Sequence, residues 1–189
     1  IIYFSNKIIS IIGLVIISLH NLFDIFVFEG QSLDAILWYF LHQQSMIKIS
    51  EYTSLVFGYP IIPWVGLMAL GYVMGSLYTK YQSKERTSLL MKFGIYSVLI
   101  FFVLRLTNFY GEPNHFAIQE KISFSIMALF NTTKYPPSLL YLLMTIGPSL
   151  ILLSIIEKYK NKVTNFFIVF GRVPLFYYFS HVFLIHITA

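Results

Sequence analysis

The sequence contains no cysteine and very few charged side chains. Without cysteine, the chain cannot form a disulfide, a thiolate metal site or a cysteine nucleophile. Asp, Glu, Lys and Arg make up only 11% of the 189 residues, whereas soluble domains carry roughly 25%. Such a small number of charges cannot cover a surface that faces water. Because 57% of the residues are hydrophobic, we expect most of the exterior to face lipid.

Five segments are long and apolar enough to cross a membrane as helices, namely residues 8–23, 59–78, 89–109, 136–156 and 166–187. A spanning helix needs about 20 mostly apolar residues, and its backbone polar groups must be paired within the segment. Residues 118–130 form a shorter apolar run, which predicts an interfacial or re-entrant helix. The predicted fold is therefore an all-α, polytopic integral membrane helical bundle, formed as a single transmembrane domain by residues 1–189.

The distribution of basic residues predicts the side of the membrane on which each loop lies, because short cytoplasmic loops are enriched in Lys and Arg. With the start of the chain in the cytoplasm, the inner side holds Lys7, Lys80, Lys84, Arg86, Lys92, Lys158, Lys160, Lys162 and Arg172. The inner loops 79–88 and 157–165 are then short and basic, and the outer loops 24–58 and 110–135 are long. The net charge of +5 therefore indicates topology rather than nucleic-acid binding.

Proline and glycine residues indicate how the spans begin and pack. Prolines open the second and fourth spans on the outer side, where they suit a first helical turn. Each helix N-terminus would place a partial positive charge at the outer face. Gly147 and Pro148 predict a bend in the fourth span, and Gly71 with Gly75 predicts a close-packing face.

Polar side chains gather at the predicted outer ends of the spans, where such residues are costly in lipid and usually indicate function. They are His20, Asn21, Asp24, Arg105, Asn108, Lys134, His181 and His186. His20 and Asp24 are four residues apart and share a helix face, so the carboxylate could orient the imidazole as a base. His181 and His186 diverge by about 140° around a helix and need not face one site.

Each of these residues also has a purely structural explanation. His20 and Asp24 could cap a helix end, and Arg105 could extend outward to lipid headgroups. Lys134 could be an interface anchor, and the two C-terminal histidines could be interfacial side chains with satisfied hydrogen bonds. No His-x-x-x-His spacing occurs, so no metal site is expected.

Longer motifs run through the chain, namely HNLFD (20–24), YPIIPWVGLMALGY (59–72), LRLTNFYG (104–111), NTTKYPPSLL (131–140), LLMTIGP (142–148) and FGRVPLFYY (170–178). Together they resemble bacterial membrane proteins related to the heparan-alpha-glucosaminide N-acetyltransferase catalytic domain. The resemblance implies a polytopic acyltransferase that moves an acetyl or other acyl group from cytoplasmic acetyl-CoA to an amine or hydroxyl of an extracytoplasmic sugar.

The resemblance also indicates what the sequence lacks. The family's N-terminal spans carry the motif in which its catalytic histidine is placed, and that segment is missing here. The resemblance therefore assigns no catalytic histidine to any position in this sequence. Because the chain begins without Met and stops at Ala189 within an apolar run, we expect it to be the C-terminal part of a longer polytopic domain.

The outer polar residues are assigned expected roles in acyl transfer. His20, Asp24, His181 and His186 are candidates for supporting catalysis, and the candidates for substrate binding are Asn21, Arg105, Asn108 and Lys134. The expected partners are the lipid bilayer and a sugar or glycan acceptor, with a homodimer left open, and the expected location is the bacterial inner (cytoplasmic) membrane. Two alternatives remain at this point: a transporter or flippase for an anionic or lipid-linked substrate, and a non-catalytic membrane subunit.

Overall fold

A computed structural model describes residues 3–159 and 162–188, which are mostly helical. In chain order the elements are α1 (Asn6–Leu19), a 3₁₀ turn (His20–Ile25), α2 (Leu33–Leu41), β1 (Ser45–Lys48), β2 (Ser54–Phe57), α3 (Ile61–Lys80), α4 (Ser83–Thr107), α5 (Ile122–Phe130), α6 (Leu139–Ile156), α7 (Lys162–Arg172) and α8 (Pro174–Thr188). The two strands form an antiparallel hairpin in which Ser45 lies opposite Phe57. The all-α prediction missed this hairpin.

Four helices in the described part of the chain are long and apolar enough to cross a membrane: Asn6–Ile25, which includes the 3₁₀ turn, and α3, α4 and α6. They correspond to the first four predicted spans, and they make the chain an integral membrane protein. The fifth predicted span, residues 166–187, is not one helix, because α7 ends at Arg172 and α8 begins at Pro174. The 11 residues of α7 and 15 of α8 extend about 16 and 22 Å, less than the roughly 30 Å of a bilayer core.

The predicted inner ends of α3, α4 and α6 meet around Arg86. Helix α4 begins at Ser83, six residues before the predicted boundary, so only residues 81–82 separate it from α3. The guanidinium of Arg86 donates to the carboxylate of Glu157, with Nε 2.9 Å from Oε1, and it lies over the ring of Tyr78. Hydrophobicity alone placed the boundary too late, because the charged residues that begin α4 are good helix formers.

Glycines allow the helices to approach closely within two pairs, α1 with α3 and α4 with α6. A Cβ atom on Gly66 of α3 would lie 2.7 Å from Ile16 of α1, and one on Gly94 of α4 would lie 2.8 Å from the carbonyl oxygen of Gly147 in α6. Around Gly71 and Gly75, by contrast, no described atom lies within 4 Å of such a Cβ. Within the described chain no other element packs on Gly71 and Gly75, so the close-packing face stays a prediction.

Residues 26–58, here called the cap, fold into a small unit between α1 and α3, on the predicted outer side. Its core contains Ala35 and Tyr39 of α2 together with Ile47 and Phe57 of the hairpin. The Tyr39 hydroxyl donates to the backbone carbonyls of residues 28 and 30. Helix α2 buries residues four apart because they share one helix face. The cap therefore has a small hydrophobic core of its own.

Candidate functional site

The predicted outer end of α1 changes from α-helix to 3₁₀ geometry at His20, and both His20 and Asn21 are buried there. With three residues per turn, side chains three apart lie above one another. Accordingly, Asn21 Nδ2 donates to Asp24 Oδ2 at 2.8 Å, whereas no hydrogen bond joins His20 to Asp24 in the described chain. The sequence prediction of a His20–Asp24 pair assumed α-helical spacing, and the 3₁₀ turn replaces it with an Asn21–Asp24 pair.

Tyr110 fixes this turn from the side of α4. Its hydroxyl donates to the carbonyl oxygen of Ser18 at 2.8 Å. Burial raises the pKa of the Tyr110 hydroxyl, and the nearby carboxylate of Asp24 raises it further. Tyr110 is therefore a neutral donor that holds a carbonyl next to the point where the helix changes geometry.

The histidine partner of Asp24 is His42, which ends α2 in the cap. Asp24 Oδ1 lies 2.7 Å from His42 Nε2, and His42 is only 2% exposed. Its ring packs against those of His20, Phe23 and Trp38. The sequence analysis did not single out His42, because no spacing rule connects residues so far apart. The available signal was a histidine directly after the apolar run of α2.

Three imidazole nitrogens in this cluster are buried without a hydrogen-bond partner among residues 3–159 and 162–188: both ring nitrogens of His20 and Nδ1 of His42. An unmade hydrogen bond of a buried polar group costs about 1–3 kcal/mol. Because His42 Nε2 faces a carboxylate, we assign its proton to Nε2, which leaves Nδ1 as the basic nitrogen. The site therefore holds an oriented imidazole whose Nδ1 lone pair is buried and accepts no hydrogen bond from the described residues.

Asp24 and His42 line a cleft of about 250 Å³. Its walls come from the 3₁₀ turn, the cap, the loop after α4 and the stretch before α6. They comprise Asn21, Asp24, Phe26, Val27, His42, Gln43, Pro113, Thr133, Tyr135 and Pro136. This set combines the hydrogen-bonding groups around Asp24 with apolar walls, and it contains neither lysine nor arginine.

Glu112 holds the wall of the cleft that precedes α6. Its carboxylate accepts hydrogen bonds from the backbone N–H of Thr133 at 3.0 Å, from Thr133 Oγ1 at 2.5 Å and from Ser138 Oγ at 2.6 Å. The sequence analysis did not assign this residue a role. Its position shows a structural function, which is to join the loop after α4 to the start of α6.

The N-terminus of α6 is occupied by groups of the chain itself. The N–H of Leu139 donates to Asn21 Oδ1 at 2.9 Å, that of Leu140 to the carbonyl of Gly111 at 3.1 Å, and that of Tyr141 to Ser138 Oγ at 3.0 Å. The sequence analysis expected a partial positive charge at this terminus. Since these N–H groups already have acceptors, the first turn of α6 supports the site by holding Asn21.

Arg105 and Asn108 are engaged in holding loops. Arg105 is 2% exposed and donates to the backbone carbonyls of residues 114, 128, 129 and 131. Three of these carbonyls lie at the C-terminal end of α5, where a cation is favourable. The Asn108 side chain exchanges two hydrogen bonds with the backbone of Phe116. Neither residue lines the cleft.

In the described chain, Lys134, His181 and His186 do not line the cleft that Asp24 and His42 share. Lys134 is exposed, and a side-chain hydrogen bond with Tyr135 raises its pKa. In α8, His181 Nδ1 lies 3.1 Å from the carbonyl oxygen of Tyr177, and His186 Nδ1 lies 2.9 Å from that of Val182. In the described ranges, no hydrogen bond or ring contact joins either histidine to Asp24 or His42. Of the predicted site residues, the structure brings together His20, Asn21 and Asp24.

Metal ligands do not gather in the described residues, where no group of three or more His, Asp or Glu side chains could hold an ion.

A comparison with protein families finds a match to the model described as "Heparan-alpha-glucosaminide N-acetyltransferase, catalytic" over residues 1–110. This stretch includes the 3₁₀ turn and the whole cap, and therefore both Asp24 and His42. No curated protein and no solved structure matches the chain.

Proposed function

Because the chain belongs to the heparan-alpha-glucosaminide N-acetyltransferase catalytic-domain family, we propose that it transfers an acetyl or other acyl group from a cytoplasmic CoA thioester to an amine or hydroxyl of an extracytoplasmic sugar. Within the site, the contact between Asp24 and His42 is the observation that supports this proposal. It lies within the stretch that matches the family and at the wall of the outer cleft.

Acyl transfer to an amine or hydroxyl requires that the acceptor lose a proton as its nitrogen or oxygen bonds to the acyl carbon. In this mechanism His42 Nδ1 takes the proton, and Asp24 stabilises the imidazolium through Nε2. The carbon–sulfur bond of the thioester breaks, and the thiolate of CoA leaves. Since Nδ1 is buried in this conformation, we expect the rings that pack on His42 to move aside when an acceptor binds, while the contact between Asp24 and His42 is kept.

The cleft favours an acceptor group that carries no negative charge. Asp24 contributes a carboxylate, and no cationic side chain lines the walls. Phe26, Pro113 and Pro136 offer apolar surface to the C–H face of a sugar ring. The volume of about 250 Å³ lies just below the roughly 300–1,000 Å³ of typical ligand pockets, which suits a single sugar unit.

Further assignments extend this proposal. We place the protein in the bacterial inner membrane, with the lipid bilayer and a glycan as its partners, and a homodimer stays a prediction. Arg105, Asn108 and Lys134 hold or flank the loops around the site, so we expect them to support its folding rather than to contact the acceptor.

The test uses membranes that contain the full chain, radiolabelled acetyl-CoA and isolated envelope glycans. We expect label in the glycan fraction from wild type and its loss in Asp24→Asn, with Asp34→Asn as the control because Asp34 is an exposed aspartate of the cap. Equal labelling by wild type and Asp24→Asn would contradict the proposed site. Passage of a glycan or lipid-linked sugar across the membrane without acylation would instead support the transporter alternative.

A further inference from the structure

Asn21 connects the start of α6 to the Asp24–His42 pair. It is 9% exposed. Its Oδ1 accepts a hydrogen bond from the N–H of Leu139 at 2.9 Å, and its Nδ2 donates to Asp24 Oδ2 at 2.8 Å. These contacts determine the orientation of the amide, because a flipped side chain would place its NH₂ group against the N–H of Leu139.

The contacts form a continuous chain of hydrogen bonds that ends at His42. The N–H of Leu139 lies in the first turn of α6, where helix N–H groups carry a partial positive charge. A donor on Oδ1 polarises the amide and strengthens donation from Nδ2, as expected for connected hydrogen bonds in a buried site. The chain therefore runs from Leu139 through Asn21 to Asp24 Oδ2, and from Asp24 Oδ1 to His42 at 2.7 Å.

Asp24 needs this support because its position on the turn does not by itself fix the orientation of the carboxylate. Its side chain is 28% exposed and stands on a short 3₁₀ turn, so without a partner on Oδ2 the carboxylate could rotate toward water. Asn21 holds Oδ2, which leaves Oδ1 directed at His42 Nε2. A histidine whose Nε2–H is held in this way presents Nδ1 as its basic nitrogen.

We propose that Asn21 is a positioning residue for acyl transfer, which fixes the carboxylate of Asp24 and thereby the tautomer and ring orientation of His42. This assignment replaces the sequence-based expectation that Asn21 binds substrate, and it rests on the proposed function. An aspartate at this position would keep the acceptor for Leu139 N–H but would lose the donor to Asp24. A leucine of similar size would lose both contacts.

The experiment compares Asn21→Asp and Asn21→Leu in the full chain, alone and combined with His42→Ala, using the same labelled transfer assay. We expect kcat to fall by about tenfold to a hundredfold in each single variant, with little change in KM for the acceptor. In the His42→Ala background the same changes at residue 21 should cause no further loss, because Asn21 acts through His42. Asn131→Asp, at an exposed asparagine, serves as the control.

The thermal unfolding of each purified variant accompanies the assay, so that rates refer to folded protein. Unchanged kcat in both variants, with wild type active, would overturn the positioning role and leave the acyltransferase function intact. An equal fold loss with and without His42 would also overturn it, because that pattern indicates a general structural role. Absence of transfer by wild type would overturn the proposed function itself.

Discussion

Asp24 and His42 are 18 residues apart in the chain, yet their side chains meet at 2.7 Å. The carboxylate stands on the turn that ends the first membrane helix, and the imidazole ends α2 in the cap. The pair therefore exists only when the cap is folded onto α1. Function therefore depends on the hydrophobic core of the cap, although the core residues themselves take no part in the chemistry.

We predict that Phe57→Ala abolishes most acyl transfer by loosening the cap. Phe57 is buried against Tyr39, and truncating a buried Phe typically costs about 3–5 kcal/mol. Limited proteolysis within residues 26–58 should accelerate in parallel with the loss of transfer. Val56→Ala, at an exposed position of the same strand, should change neither the rate of proteolysis nor the rate of acyl transfer. A Phe57→Ala protein with wild-type rates would show that the site does not depend on the folded cap.

We predict that Arg105→Lys destabilises the protein while leaving the acceptor KM of the folded fraction unchanged. A lysine cannot reproduce the forked contacts with four separate carbonyls, and unpaired buried acceptors cost about 1–3 kcal/mol each. Thermal unfolding in detergent measures the loss of stability, and steady-state kinetics measure the acceptor KM. Arg172→Lys, at an exposed position, is the control. A raised KM without destabilisation would instead favour the original assignment of Arg105 to substrate binding.

We predict that Gly94→Ala separates α4 from α6, whereas Gly71→Ala is tolerated. A Cβ atom on Gly94 would lie 2.6 Å from Ile151 and 2.8 Å from the backbone oxygen of Gly147, while one on Gly71 meets no described atom within 4 Å. Overpacking of this kind typically costs about 1–3 kcal/mol. The unfolding midpoints of the two variants in denaturing detergent provide the comparison. Equal midpoints would contradict the close approach of α4 and α6.

The orientation of the chain can be tested directly because it contains no cysteine. We expect a cysteine at Glu51, in the hairpin turn, to react with a membrane-impermeant maleimide in intact cells. A cysteine at Gln82, between α3 and α4, should react only after the cells are permeabilised. The reverse pattern would place the cap and its cleft on the cytoplasmic side, and it would contradict an extracytoplasmic acceptor.

Hydrophobic patterning predicted the four long helices because a helix in lipid must be apolar over most of its length. It failed for residues 166–187, where composition alone could not show that the helix breaks before Pro174. It also missed the cap. The segments of the cap are short, and its core forms between residues as distant as Ala35 and Phe57.

The candidate site was predictable only in part, for related reasons. His20, Asn21 and Asp24 were identified because polar residues at the end of an apolar span are conspicuous. Their pairing was wrong because the sequence gives no warning of the 3₁₀ turn. His42 was missed because its partner is brought to it by tertiary folding of the cap. Likewise, the close-packing glycines Gly94 and Gly147 lie on different helices, so no local motif connects them.

The central claim is that His42, oriented by Asp24, accepts the acceptor's proton at an extracytoplasmic acyl-transfer site. The most direct measurement is the rate of label transfer from acetyl-CoA per folded molecule of His42→Gln, compared with His115→Gln, which changes an exposed histidine of the outer loop. Loss of a general base typically costs about 10²–10⁴-fold, so we predict a reduction of that size for His42→Gln and a wild-type rate for the control. A wild-type rate for His42→Gln would contradict the account.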